Sequence, residues 1–140
     1  MIDKMGRNKM HYRIAHINNS IMENKEDVLR DMKNIDNPNF QDYQGTSYLH
    51  MACQAHSLEA IRILLDLGAN PNINDKKGFS PITSALGTVN KDNGAILNLM
   101  LQYGLDLKKM EGNQTLKEWI EMFDDEELNA IIRINKESGL

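Results

Sequence analysis

Part of this chain repeats itself after 33 residues. The segment Asp42-Tyr43-Gln44-Gly45-Thr46-Ser47-Tyr48-Leu49-His50-Met51-Ala52, laid over Asp75-Lys76-Lys77-Gly78-Phe79-Ser80-Pro81-Ile82-Thr83-Ser84-Ala85, matches Asp, Gly, Ser, an aliphatic residue and Ala in register. A fixed period of this size constrains the fold severely. Each unit is too small to bury its own apolar face, so neighbouring units must stack to make one continuous core.

The matched residues have mechanical readings. Asp-x-x-Gly is turn chemistry: the carboxylate accepts backbone N–H groups, and glycine takes dihedral angles that other residues resist. Ser47 and Ser80 fall where a helix N-cap belongs, and Pro81 falls at the first helical position, where its missing N–H costs nothing. A short first helix follows, with Leu49, Ala52 and Cys53 on its apolar side in one copy and Ile82, Ala85 and Leu86 in the other. The small Ala lets neighbouring helices approach closely.

A second helix is predicted over Leu58 to Leu67, with Ile61, Leu64 and Leu65 on one face and Gly68 just past its end. The later copy, Ala95 to Gly104, repeats the face and the glycine. Between the helices of that copy, Gly87 to Gly94 is three residues longer than its counterpart and is expected to be an exposed loop.

The segments TSYLHMA, EAIRILLDLGANPNIND and GFSPITSA resemble the ankyrin signature of turn, T-P-L-H helix start, V-x-x-L-L helix and G-A-D-x-N finger. The resemblance implies an all-α solenoid of about four helix-turn-helix units with short β-turn fingers. It covers units at 42–74 and 75–108. Downstream, Gly112 to Leu116 keeps the turn-to-helix distance, but Trp119 stands where the small Ala belongs. Asp124 as N-cap with Glu127 three residues on predicts a capping box for a last helix carrying Leu128, Ile131 and Ile132. Upstream, Ile14, Ile17, Val28 and Met32, with Asn37-Pro38-Asn39 set against Asn70-Pro71-Asn72, suggest a degenerate first unit. A single domain over 1–140 is expected, with end caps at 10–41 and 109–140.

Composition excludes several classes. A net charge of -4 leaves no basic excess of the kind that drives nucleic-acid binding. Met1 to Ser20 lacks the unbroken apolar core of a secretory signal, and no run is long enough to span a membrane. The lone Cys53 has no internal partner for a disulfide, which fits a reducing, cytoplasmic setting. Lys4, Arg7, Lys9 and Arg13 against Asp3 read as a solvated tail ahead of the fold.

Candidate chemical sites fall within the same repeats. His50, Cys53 and His56, spaced i, i+3, i+6, could be metal ligands or a Cys–His pair. Their repeat positions give a structural account instead: His50 is the His of the T-P-L-H motif, and Cys53 fills a buried small-residue slot. The acidic run Asp124 to Glu127 sits at a predicted helix start, where negative charge is favourable. No phosphate-binding glycine loop, H-E-x-x-H or G-x-S-x-G is present. No catalytic residue, metal or cofactor is expected.

The resemblance implies a protein-binding module, free as a monomer, that holds its partner on the finger tips and the exposed side of the first helices. Carried over residue by residue, that surface is Tyr43, Gln44, Thr46, Gln54, Ala55 and Asn74 from one unit and Lys76, Lys77, Phe79 and Thr88 from the next. Tyr43 and Phe79 stand out, since aromatic residues dominate binding hot spots. Small acidic arrays of this size are also similar to immunity proteins that mask a bacterial toxin. An effector or scaffold for another protein, and a metal-dependent regulator or small enzyme using His50, Cys53 and His56, are the alternatives.

Overall fold

The structure is a computed structural model that describes residues 2–19 and 21–138, with side chains as far as Asn135. Eight helices follow in pairs: α1 (Lys9–Ala15) and α2 (Lys25–Met32), α3 (Tyr48–Gln54) and α4 (Leu58–Asp66), α5 (Pro81–Leu86) and α6 (Asn93–Gln102), α7 (Leu116–Glu121) and α8 (Glu126–Ser138). Before α7 a two-residue hairpin pairs β1 (Met110–Glu111) with β2 (Gln114–Thr115), Met110 opposite Thr115.

Helices this short do not persist alone in water, so their caps and their packing must hold them. Ser47 accepts the His50 N–H, and the His50 ring accepts the Ser47 N–H in return, closing a capping box with histidine in the usual place of Glu. Asn8 and His11 do the same for α1, and Thr115 and Glu118 for α7. Ser57 caps α4, which stops before Gly68 at φ 101°. That left-handed conformation suits a residue without a Cβ.

The first helices α1, α3 and α5 pack side by side in one layer, and α2, α4, α6 and α8 form a second layer behind them. Between the layers run Ile14, Val28, Met32, Leu49, Ile61, Leu64, Ile82, Ile96, Leu97, Met100, Leu116 and Ile120, all buried. Ala52, Ala60 and Ala85 are wholly inaccessible, as the close approach of the helices requires. The fourth unit departs from this pattern. Helix α7 packs against α8 and the hairpin and stands off from α5; counted from its Thr115 cap, the fully buried Ile120 takes the place of Ala52, and the half-buried Trp119 precedes it by one residue.

Three sequence expectations need correction. The segment before α1 is no solvated tail: from Asp3 it is a finger turn, Arg7 pairs with Asp42, and His11 is fully buried. Met1 lies outside the described residues. At the last helix, Asp125 and not Asp124 accepts the N–H of Leu128, because Asp124 sits at φ 51° in the bend before it. Ser80 holds the N-cap position of α5 but makes no side-chain bond to that helix. Its hydroxyl is drawn elsewhere, as described below. Among the described residues, no helix is long and apolar enough to cross a membrane.

Candidate functional site

One turn is built three times along the edge of the array. Asp42 Oδ1 accepts the N–H groups of Gln44 and Thr46 at 2.8 and 2.9 Å, and the Asp42 carbonyl accepts that of Gly45. Asp75 does the same with Lys77, Phe79 and Gly78. Asp3 repeats it with Met5, Arg7 and Gly6. An Asp carboxylate that satisfies two successive backbone donors fixes the tip without help from the core.

The tips are fused edge to edge. The Tyr43 N–H donates to the Met5 carbonyl and the Lys76 N–H to the Gln44 carbonyl, both at 2.9 Å, at equivalent positions of successive turns. A Cβ on Gly45 would lie 2.7 Å from the Lys76 nitrogen, and one on Gly6 would strike the Tyr43 ring at 2.5 Å. Glycine is therefore required where one finger touches the next.

Beneath the tips, a buried side chain ties each finger to the helix before it. His11 and His50 turn Nδ1 to their own cap N–H, so Nε2 carries the proton and donates to the carbonyls of Thr46 (3.3 Å) and Phe79 (3.0 Å) of the following finger. Burial lowers the pKa of both rings from the ordinary value, which keeps them neutral donors. The third unit has Thr83 at this position, and the tie is reversed. Glu111, reaching back from the last finger, accepts the Ser80 N–H on Oε2 at 3.1 Å and the Ser80 hydroxyl on Oε1 at 2.5 Å, with the Lys109 ammonium 3.1 Å from that same Oε1. That demand explains why Ser80 does not cap α5.

At the first junction the carboxylate of Asp42 is buried against the Arg7 guanidinium at 2.7 Å. Burial pushes this carboxyl up, but Arg7 and the N–H groups of Thr46 and Gln44 more than reverse it, leaving its pKa below the usual value.

The ten residues proposed from sequence fall into two groups. Tyr43, Gln44, Thr46, Asn74, Lys76, Lys77 and Phe79 gather on the fingers. Gln54 ends α3, Ala55 follows it and Thr88 lies just past α5, about 10 Å away at 1.5 Å per residue. Between them α3 offers little, because every one of its side chains except Gln54 is buried. Tyr43 is 55% exposed, and Gln44, Lys76 and Lys77 are exposed.

Phe79 is half-buried and contributes its carbonyl to the His50 tie. Asn74 is engaged twice, its carbonyl by Gln41 and its side chain by Lys109. Ala55 takes the Asn18 amide on its carbonyl, and Thr88 takes that of Asn93. Sequence reading passed over Lys4 and Met5 on the first finger and Met110, 54% exposed, on the last. The signal was present in Asp3-Lys4-Met5-Gly6, which has the same Asp-x-x-Gly form as the other two turns.

His50, Cys53 and His56 do not converge. The Nε2 atoms of His50 and His56 face the carbonyls of Phe79 and Ala85, the latter at 2.8 Å. Cys53 is fully buried, and burial pushes its thiol pKa up, away from a nucleophilic thiolate. Among the described residues no group of three or more His, Cys, Asp or Glu side chains is placed to hold a metal ion.

The repeated turn, paired helices and cross-unit ties define a helical solenoid of the protein-binding class. Residues 17–111, more than half the chain, match the family of ankyrin repeats in three copies, and the chain belongs to that family. It is 44% identical over 48 residues to an ankyrin repeat protein of fowlpox virus, covering 34% of this chain and 8% of that one. It is 31% identical over 72 residues to an ankyrin repeat protein of Acanthamoeba polyphaga mimivirus, covering 51% of this chain and 16% of that one. A nuclear factor NF-kappa-B subunit of Gallus gallus is 32% identical over 117 residues, 79% of this chain and 11% of its own length. The chain thus spans between 8% and 16% of these relatives. Ankyrin repeats serve generally as protein–protein interaction modules, typically without enzymatic activity.

Proposed function

We propose that this chain works as a single array over residues 1–140, without catalysis, holding a partner protein on the edge formed by its finger turns. One observation carries the reading. The tips of three fingers are joined by backbone hydrogen bonds into one rigid edge, and that edge presents Tyr43, Gln44, Lys76 and Lys77 to solvent. Binding loses less entropy when the side chains sit on a frame already fixed. An exposed Tyr braced over Gly6 is an anchor of the kind found at hot spots.

Gln54, Ala55 and Thr88 belong to the same surface only for a partner large enough to reach along α3 and α5. The narrower roles differ in who the partner is. Those roles are an effector or scaffold for a cellular protein and immunity against a toxin.

The test places a photo-crosslinking residue at Gln44 and, as a control, at Arg62 on α4, in cells that express the chain. Adducts to one discrete protein from Gln44 and none from Arg62 are expected. Adducts from Arg62 alone would reject the finger edge as the binding surface.

A further inference from the structure

The charges on the fingers differ from those of the molecule as a whole. Along 2–8, 41–47, 74–80 and 108–115 there are six basic side chains and four acidic ones, in a chain whose net charge is -4. All four acids are occupied. Asp3, Asp42 and Asp75 hold turn N–H groups, and Glu111 is buried between Ser80 and Lys109. Of the six cations, Arg7 and Lys109 are paired. Lys4, Lys76, Lys77 and Lys108 are exposed, and among the described residues none of their ammonium groups pairs with a carboxylate, although the backbone N–H groups of Lys77 and Lys108 donate to Asp75 and Asp106. Beside them the same edge shows Met5 and Tyr43, 38% and 55% exposed.

We infer that the partner segment held on the finger edge is an acidic polypeptide stretch carrying apolar side chains, its carboxylates meeting Lys4, Lys76, Lys77 and Lys108 and an apolar group lying against Met5 and Tyr43. This rests on the reading of the finger edge as the binding surface. Complementary charge steers encounter and rejects basic competitors, while the apolar contact supplies holding strength.

A nucleic acid fits less well. Its affinity grows with the number of phosphates neutralised, and four lysines on an acidic molecule with one exposed finger aromatic offer few such contacts. The acidic remainder of the surface repels a polyanion longer than the edge.

The test uses the full chain and fluorescein-labelled peptides of about a dozen residues, long enough in extended form to cross successive fingers. One alternates Glu and Leu, one alternates Lys and Leu, and one alternates Glu and Ser; an oligothymidylate of similar length is the fourth probe. Fluorescence anisotropy is expected to rank the Glu/Leu peptide first. Lys76→Glu with Lys77→Glu is expected to weaken that binding about tenfold or more, and to reduce its salt dependence. Tyr43→Ala is expected to bring the Glu/Leu peptide down to the level of the Glu/Ser one.

Equal binding of the Glu/Leu and Lys/Leu peptides, no binding of either, or indifference to the double charge reversal overturns the inference. Preference for the oligothymidylate also overturns it, in favour of a nucleic-acid ligand. The crosslinked partner separates the two levels of the claim. A basic or neutral contact segment crosslinked at Gln44 rejects the acidic ligand and leaves the finger edge standing, whereas crosslinks confined to Arg62 remove both.

Discussion

The junction of α3 with α5 and that of α5 with α7 solve one problem in two ways. At the first, Ala52 and Ala85 let the helices meet, and the His50 ring reaches forward from α3 to the Phe79 carbonyl. At the second, Ile120 stands where the small residue would be, α7 stands away from α5, and Glu111 reaches backward to Ser80. Contact between units can thus be carried by helix packing with a light polar tie, or by a buried carboxylate with little helix packing. The first arrangement spreads its energy over many atoms. The second concentrates it in one side chain.

The largest effect is expected from forcing a bulky side chain into the first junction. Ala52→Trp adds an indole where no space exists, and overpacking a filled core costs about 3 kcal/mol or more at this degree of size change. Chemical denaturation should show a lowered midpoint or loss of cooperative unfolding. A variant as stable as the parent would show that α3 and α5 can separate at little cost, and the contrast between the junctions would fail.

Next is Glu111→Ala, which strips the Ser80 N–H and hydroxyl of their acceptor and leaves Lys109 with Asn74 alone. Buried donors left without partners cost about 1–3 kcal/mol each, so a loss of roughly 2–3 kcal/mol is expected by the same denaturation assay. Glu111→Gln should recover part of it, since an amide oxygen still accepts from Ser80. Equal losses for the two substitutions would mean that charge pairing with Lys109, and not the Ser80 bonds, holds the junction.

A smaller effect should follow from pH, and only at the histidine-tied junctions. His11 and His50 have folded pKa values lowered from the ordinary 6.5, mainly by burial. The unfolded chain therefore binds more protons in that range. Stability is full above pH 6.5 and falls as the pH drops from there toward the folded values, by about 1.4 kcal/mol for each unit of lowering once both forms are protonated. His50→Gln should flatten the dependence between pH 6.5 and 5 and leave the share due to His11. An unchanged slope would show that His50 takes up its proton without breaking the Ser47 and Phe79 bonds.

How much of this was legible in the sequence follows from the same contrast. The central units could be read because their turns and caps are local: Asp, Gly, Ser and His bond within a few residues of one another, and the offset of 33 brings them into register, although the reach of His50 to Phe79 is not local. The first unit uses the same parts, Asp3, Gly6, Asn8 and His11, but stands 39 residues before its counterpart, Asp42. Asn24 and Ser57 cap α2 and α4 at the regular offset, so the extra length lies between α1 and α2 and hides the first finger from a search at 33.

Glu111 was invisible for another reason. Its partner Ser80 is 31 residues away, and the only hint was the missing His at Thr83. The finger turns were partly legible, since Tyr43, Gln44, Lys76 and Lys77 do lie exposed on them, while burial of Phe79 and the double engagement of Asn74 depend on neighbours that no single unit reveals.

The smallest expected loss is Trp119→Ala, one residue before the buried Ile120 of α7. Trp119 is half-buried and meets Phe123 edge-on at 4.9 Å, in a loop where Phe123 is itself 43% exposed. Truncation forfeits that ring contact, about 0.5–1.5 kcal/mol, with some area against the core. It does not open a gap between α5 and α7, because they do not meet closely across it. A loss of about 1–2 kcal/mol is therefore expected, below that of Ala52→Trp and below that of Glu111→Ala. Native-state hydrogen exchange should show the amides of α7 opening at lower free energy than those of α3, with the substitution widening the interval and leaving α3 unchanged. If Trp119→Ala instead cost as much as Glu111→Ala and lowered protection in α3 and α7 together, the indole would be carrying the junction, and the carboxylate tie would be secondary to it.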